Sequence, residues 1–199
     1  MLIHDIQEAR DHESIEENNY EGETLVGKDC RKMEFMEVVF SKCRFVDCDF
    51  TATAFRKVRF EDCDFSNCRF HNGYFSDVTM SDCKGDGCNF SQSTFRRCQI
   101  IKGSYHYANC GFSLWDNCII ESADFSDSFF SEVKLKKTKI SLTRLSRADF
   151  FKTSLRGMDL SDCLLDSIAV SDTYRELQGL KISPIQAMDL IQLLGVKII

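Results

Sequence analysis

The sequence predicts an all-β solenoid built from square coils of 20 residues. Fourteen of the 17 phenylalanines fall on multiples of five, from residue 35 to residue 150. Other large apolar residues usually take these positions where phenylalanine is missing, and the register does not slip between residues 35 and 170. A second column, two residues earlier, holds mostly cysteine or another small residue. Both columns are expected to face a common core.

A period of five residues fits neither an α-helix nor a simple alternating strand. Inward positions separated by two and then three residues indicate a short extended piece followed by a turn. Four such pieces close one square coil, so residues 20 apart should stack. One predicted core ladder consists of Phe35, Phe55, Phe75, Phe95, Trp115, Leu135 and Leu155. Strands ~4.8 Å apart would give seven coils a length on the order of 34 Å.

The eleven cysteines all belong to the two inward columns. Their odd number would leave at least one thiol unpaired in any intrachain disulfide scheme. A metal site needs ligands that converge from several directions, and the four histidines share no spacing with the cysteines. We therefore interpret the cysteines as small core residues and expect no metal and no cofactor.

Gly85 interrupts the column of large apolar residues at multiples of five. Either the missing side chain leaves a notch for a ligand, or Phe65 and Tyr105 from neighbouring coils fill the gap. The sequence favours a packing defect of the second kind.

Composition indicates a cytoplasmic protein without a membrane partner. No run of 18 apolar residues could form a membrane-spanning helix. The acidic N-terminus lacks the apolar region of a signal peptide, so the thiols are expected to stay reduced.

The sequence contains no glycine-rich phosphate loop, no H-E-x-x-H and no nucleophile elbow. We predict no enzymatic activity and no catalytic residue.

The ends of the solenoid need covers, because each coil buries its apolar faces against its neighbours. We predict an acidic N-terminal cap over residues 1–19, the repeat over 20–172, and a C-terminal capping and dimerisation segment over 173–199. Ser183 and Pro184 are typical of a helix start, and Gly195 of a helix end. The last four residues are expected to form a strand. The apolar candidates for the cap or dimer contact are Ile185, Met188, Leu190, Ile191, Leu194, Val196 and Ile198.

The repeats "CDFSN", "CNFSQ", "ADFSD", "ADFFK" and "MDLSD" resemble the pentapeptide-repeat family. That resemblance implies a right-handed quadrilateral β-helix. The tail, with "LQGLKI" and then "LLGV", is similar to the quinolone-resistance (Qnr) proteins and the mycobacterial protein MfpA. This second resemblance implies a homodimer through the C-terminus. It also implies binding to DNA gyrase or topoisomerase IV and their protection from fluoroquinolones.

The unbroken register leaves no room for the projecting loops that many members of that group carry. The loop-free members are described as DNA mimics with acidic surfaces, so the resemblance implies no direct binding of nucleic acid. One side of the coil is a candidate for contact with a topoisomerase through an acidic surface. It carries Asp47, Asp64, Asp86, Asp124, Asp127 and Asp166.

The side centred on residues 35, 55 and 75 is instead basic, with a balance of +4, while each of the other three is about −2. The basic side could orient the rod on a partner. Alternatively, its alternating column Glu37, Lys57, Asp77 and Arg97 could simply form ion pairs between coils.

Two other functions fit the sequence. The protein could confer immunity against a toxin that targets a topoisomerase, as the related microcin immunity protein McbG does. It could also be a scaffold for protein–protein interaction with no topoisomerase target.

Overall fold

The computed structural model describes residues 1–9 and 14–196. Helix α1 spans Leu2–Glu8, and α2 spans Pro184–Leu190. Short 3-10 helices cover Arg175–Leu177 and Ile191–Leu194. The strands are β1 Ser14–Glu16, β2 Asn19–Glu21, β3 Thr24–Val26, β4 Glu34–Met36, β5 Val39–Ser41, β6 Arg44–Val46, β7 Ala54–Arg56, β8 Arg59–Glu61, β9 Tyr74–Ser76, β10 Thr79–Ser81, β11 Thr94–Arg96, β12 Gln99–Ile101, β13 Leu114–Asp116, β14 Ile119–Glu121, β15 Lys134–Lys136 and β16 Lys139–Ser141.

The strands form the four-sided parallel β-helix that the period of five predicts. The first side is a seven-stranded sheet in the order β1-β4-β7-β9-β11-β13-β15. The second side is another, in the order β2-β5-β8-β10-β12-β14-β16. The third side contains the pair β3-β6 and continues as single bridges such as Arg44 to Asp64, and the fourth consists of bridges such as Asp49 to Arg69. The predicted fold class is confirmed.

The chain turns each corner on a residue in the left-handed conformation. This residue recurs at every fifth position from Glu17 to Ser167, with Asp162 as the one exception in that range. A left-handed backbone costs an L-residue roughly 1 kcal/mol or more. Ladder hydrogen bonds help to offset that cost, as where the Lys57 amide donates to the Ser76 carbonyl at 2.9 Å.

Aromatic rings fill the core in stacked columns. On the first side, ring centroids lie 5.3 Å apart between Phe35 and Phe55, 5.1 Å between Phe55 and Phe75, and 4.4 Å between Phe75 and Phe95. Trp115 stacks on Phe95 at 4.2 Å. Rings on adjacent sides meet edge to face, the other favourable aromatic geometry. The predicted ladder positions 135 and 155 are half-buried and fully buried, respectively.

All eleven cysteines are buried and unbridged. Many of their thiols donate to a backbone carbonyl of the coil below, as Cys63 does to Phe40 at 3.3 Å and Cys83 to Phe60 at 3.4 Å. Burial raises the pKa of the Cys88 and Cys110 thiols, which keeps them protonated. The thiols therefore act as small hydrogen-bond donors within the core.

The gap at Gly85 is filled from both neighbouring coils. A Cβ at this position would lie 2.8 Å from ring carbons of both Phe65 and Tyr105. The Tyr105 hydroxyl is buried and has no hydrogen-bond partner in the described part of the chain. Burial raises its pKa well above the ordinary value. Gly85 thus provides the space that two aromatic rings occupy.

At the N-terminal end, α1 buries Leu2 and Ile6 against the first coil. The ladder starts at β1, because Ser14 already pairs with Glu34. Pairing thus begins before residue 20, where the sequence suggested the repeat would start. The Tyr20 hydroxyl donates to the Asp5 carboxylate at 2.6 Å and holds the helix to the coil.

At the C-terminal end, α2 begins as the sequence predicts. The Ser183 hydroxyl and the Gln186 side chain form a reciprocal capping box, Pro184 stands in the first turn, and Gly195 ends the following 3-10 helix with φ of 73°. The predicted terminal strand and Ile198 fall largely on residues 197–199, which lie outside the described residues.

Candidate functional site

The six aspartates proposed from the sequence as a topoisomerase contact lie along the third side of the solenoid. Their positions follow from the bridges that run from Arg44 through Asp64 and Asp124 to Leu164. The same side carries four bases, Arg44, Lys84, Arg144 and Arg147. The structure therefore places acids and bases side by side here.

Three of the six aspartates pair with these bases. Asp127 accepts two hydrogen bonds of 2.7 Å from Arg147, and this contact lowers the pKa of the carboxyl. Asp124 lies 3.1 Å from the His106 ring and 3.5 Å from Arg144. Burial alone would raise the pKa of Asp124, but hydrogen bonds from Ser126 and the charge of Arg144 lower it. Asp86 lies 3.8 Å from the Lys84 ammonium.

The other three aspartates have no ion pair in the described part of the chain. Asp64 accepts from the amide and hydroxyl of Ser66, at 3.0 and 2.7 Å. Asp166 accepts from the Ser146 hydroxyl. Asp47 is exposed at a corner with φ of 52°. These three carboxylates carry the negative potential that this side can offer to a partner.

The basic first side divides into two halves. Near the N-terminus its bases pair across coils: Lys57 with Glu37 at 2.7 Å, and Arg97 with Asp77 at 2.6 Å. The hydrogen bond from Arg97 lowers the pKa of Asp77 to about 2. This half therefore follows the ion-pair interpretation.

The C-terminal half of the first side holds bases without acidic partners. They are Lys134, Lys136, Lys137 and Arg156, and Arg96 of the other half likewise has none. No ion pair among the described residues involves any of them, since all 15 pairs lie elsewhere. This half is the larger source of positive potential.

The C-terminal helix presents an apolar surface to solvent. Ile185 is 74% exposed and Leu194 59% exposed, and Met188, Ile191 and Val196 are also exposed. A groove of about 340 Å³ runs between this helix and Tyr174, lined by Leu177, Ile182 and Leu190 among others. Clustered exposed apolar side chains of this kind are typical of an interaction surface.

The contact with the last coil uses residues that sequence reasoning did not select. Gln186 is buried, and its side-chain amide donates to the carbonyls of Leu160 and Cys163 at 2.7 and 2.6 Å. Of the apolar candidates, Leu190 is half-buried against the core. The capping-box pattern S-P-I-Q is a sequence signal that could have identified Gln186 as a local cap. No sequence signal indicates its second role.

One group of side chains has the composition of a metal site. His4, Asp5 and Glu8 on α1 place ligand atoms within 4.8 Å of one another. His4 is exposed, and Asp5 already accepts from Tyr20 and Asn18. These contacts account for the cluster as part of the N-terminal cap.

None of the helices within residues 1–9 and 14–196 combines the length and the hydropathy needed to cross a bilayer.

Comparison with known families finds pentapeptide repeats in two segments. A family model of pentapeptide repeats in nine copies matches residues 35–79, and another of eight copies matches residues 130–166. No curated protein matches the sequence.

Among solved structures, the chain is similar to QnrB1, described as a plasmid-mediated fluoroquinolone resistance protein. One trypsin-treated variant is 19% identical, with a TM-score of 0.54 over 94% of this chain and 98% of that one. A second is 19% identical, with a TM-score of 0.50 over 94% and 97%. HetL of the cyanobacterium Nostoc sp. strain PCC 7120, described as a pentapeptide repeat protein involved in heterocyst differentiation regulation, is 9% identical. Its TM-score is 0.31 over 90% and 92% of the two chains.

None of these descriptions names a catalytic activity. The repeats, the corners and the four-sided coil agree with one another and with these matches. The chain carries pentapeptide repeats over residues 35–79 and 130–166 and folds as a pentapeptide-repeat β-helix.

Proposed function

We propose that this protein is a homodimeric, non-enzymatic binder of a type II topoisomerase, DNA gyrase or topoisomerase IV, that protects the enzyme from fluoroquinolones. The observation that carries the proposal is the C-terminal segment: a capping helix with an exposed apolar face, whose sequence resembles the Qnr and MfpA tails. The likeness to QnrB1 spans 94% of the chain.

In this proposal the topoisomerase contacts the third side through its unpaired carboxylates. Asp47, Asp64 and Asp166 remain free to meet basic residues, whereas Asp86, Asp124 and Asp127 already have cationic partners. Complementary charge of this kind raises association rates and orients a partner more than it adds affinity. The contact should therefore weaken as the salt concentration rises.

The test is a gyrase supercoiling assay in which the protein is titrated with and without ciprofloxacin. Restored supercoiling in the drug, at concentrations that leave the drug-free reaction intact, is the expected result. Replacing Asp47, Asp64 and Asp166 with asparagine should raise the protective concentration roughly tenfold. A matched control replaces Glu17, Asp116 and Glu121 with their amides and should protect as the native protein does. These three acids lie on the first and second sides and have no ion pair among the described residues.

Failure to protect gyrase would direct the same assay to topoisomerase IV decatenation. Absence of protection in both assays would contradict the proposal and favour a scaffold for another protein. Inhibition without protection would support a binder that competes with DNA but confers no resistance.

The dimer is tested separately by sedimentation velocity. Because Ile185 and Leu194 are exposed, changing both to aspartate should leave the fold intact and convert a dimer to a monomer at micromolar concentration. The control changes the exposed Phe129 and Phe151, on the fourth side, to aspartate and should remain dimeric. A native protein that sediments as a monomer would refute this part of the proposal.

A further inference from the structure

The solenoid opens along two of its sides near the C-terminal end. Both seven-stranded sheets stop at β15 and β16, although residues 154–162 continue the coil above them. The two coils rejoin where Arg144 pairs with Leu164. Between them lies a groove of about 360 Å³, lined in part by Lys137, Lys139 and Arg156.

The groove exposes backbone groups that are paired in every preceding coil. The corner residues stacked below Lys137, such as Lys57 and Asn117, each donate an amide hydrogen bond to the next coil, and so do those below Leu142. Within the described residues, the amides of Lys137 and Leu142 themselves have no acceptor. The edge of β15 and β16 is therefore a free ladder edge.

A change in the core sequence accompanies the opening. One inward column is buried at Val38, Val58, Val78, Cys98 and Cys118. It is only half-buried at the next two coils, at Thr138 and at the larger Met158. Asp162, at the same coil, lacks the left-handed corner conformation. The coil is also paired irregularly above, since Asp159 pairs with Lys181 at a separation of 22 residues rather than 20. We attribute the opening to Met158, whose side chain is half-buried where the valines and cysteines of the same column are buried.

The groove is rimmed by uncompensated positive charge. Lys134, Lys136, Lys137 and Lys139 lie within six residues, and Arg156 faces them from the coil above. The alternation of acids and bases that pairs Arg97 with Asp77 stops at this point, because Asn117 stands below Lys137. Asp159 is the acidic residue in the lining.

We propose that this groove binds an acidic peptide segment of another protein, which adds in extended conformation to the free edge of β15. A ladder edge pairs with a peptide backbone, and the surrounding lysines select carboxylate side chains. A second copy of the same edge is excluded, because it would bring two sets of lysines together. A nucleic acid could accept hydrogen bonds from the lysines and the free amides through its phosphates, but it has no strand backbone that would extend the sheet. The strands of this solenoid are three residues long, so a peptide strand of that length would extend the sheet by one step.

The inference does not depend on the proposed topoisomerase function, and its test uses no topoisomerase. The probe is a fluorescein-labelled peptide of four Glu-Val repeats, whose binding to the full chain is followed by anisotropy. The matched peptide of four Lys-Val repeats should not bind. Hydrogen exchange should show that the acidic peptide slows the amide of Lys137, beside β15, more than that of Leu142.

Two variants separate edge pairing from simple charge attraction. Lys137→Glu with Lys139→Glu should weaken peptide binding at least about tenfold. The control makes the same charge change far from the groove, with Lys32→Glu and Lys42→Glu. Both lysines are exposed and have no ion pair among the described residues, so this variant should bind the peptide as the native protein does. Met158→Val keeps every charge but should close the groove, weaken binding, and protect both amides in the free protein.

Equal peptide affinity in the native protein and the Lys137/Lys139 variant would overturn the proposal. A second result would also overturn it: Met158→Val binds the peptide as tightly as the native protein does, and both amides still exchange rapidly in the native complex. The lysines would then bind any anion, without pairing at the strand edge. A 20-nucleotide single strand that binds more tightly than the acidic peptide would assign the site to nucleic acid instead.

Discussion

Replacing Phe75 with alanine should lower the free energy of unfolding by about 3–5 kcal/mol. Its ring is fully buried and stacks between Phe55 at 5.1 Å and Phe95 at 4.4 Å. Rings from the adjacent side, Phe70 and Phe90, contact it at about 6 Å between centroids. Parallel ladder pairing fixes the backbone above and below, so the coil has little freedom to collapse into the cavity. The loss should therefore fall in the upper part of the range for phenylalanine.

Urea denaturation of the native and variant proteins measures this loss. The matched control is Phe129→Ala, because Phe129 is 49% exposed on the fourth side. That substitution removes the same atoms but little buried contact, and should cost less than about 1 kcal/mol. Equal losses for the two variants would show that the stacked ladder is not what stabilises the coils. A solenoid can unfold in stages, so coincident transitions by fluorescence and circular dichroism are required before the two values are compared.

The fold could be predicted from the sequence because one simple period determines it. Each coil repeats the same backbone path, so the inward columns of phenylalanine and cysteine specify the register at every position between residues 35 and 170. The filling of the Gly85 gap by Phe65 and Tyr105 followed from the same stacking rule. Such a rule works where neighbours are always 20 residues apart.

The ion pairs followed this rule only in part. Pairs exactly one coil apart, such as Asp127 with Arg147 and Asp77 with Arg97, can be read by adding 20 to a residue number. The contact of His106 with Asp124 is diagonal, at a separation of 18 residues, and needs coordinates. The rule of 20 residues therefore identifies only part of the contacts on the third side.

The groove below residues 154–162 could not be predicted from the apolar register. Leu155, Leu160 and Leu165 continue that register without a break, yet the ladder hydrogen bonds of two sides are lost. The register records which side chains face inward, but it does not report whether adjacent coils touch. Met158 was visible in the sequence, but the partial exposure of its side chain was not.

Replacing Gln186 with leucine should destabilise the C-terminal end by about 2–4 kcal/mol, because buried carbonyl groups then lose a donor. The side-chain amide donates to the carbonyls of Leu160 and Cys163, and its oxygen accepts from the Ser183 amide at 2.6 Å. Leucine has a similar volume, so the change removes hydrogen bonds without opening a large cavity. The Leu160 carbonyl keeps a bond from the Cys163 amide at 3.0 Å, which leaves the Cys163 carbonyl as the main unsatisfied group.

The loss should appear first as local opening, because coils in a solenoid contact only their neighbours. Hydrogen exchange at Leu155, Gly157 and Leu160 measures it, since these amides donate to the carbonyls of Glu176, Gly179 and Lys181 in the terminal segment. They should exchange faster in the variant, while amides in the Phe75 coil keep their native rates. Gln192→Leu is the matched control, because Gln192 is exposed and its side chain has no hydrogen bond in the described residues. Native exchange rates of these amides in both variants would contradict the prediction. Contacts of Leu190 and Leu193 with the core would then hold the helix, and Gln186 would contribute only to the local cap of α2.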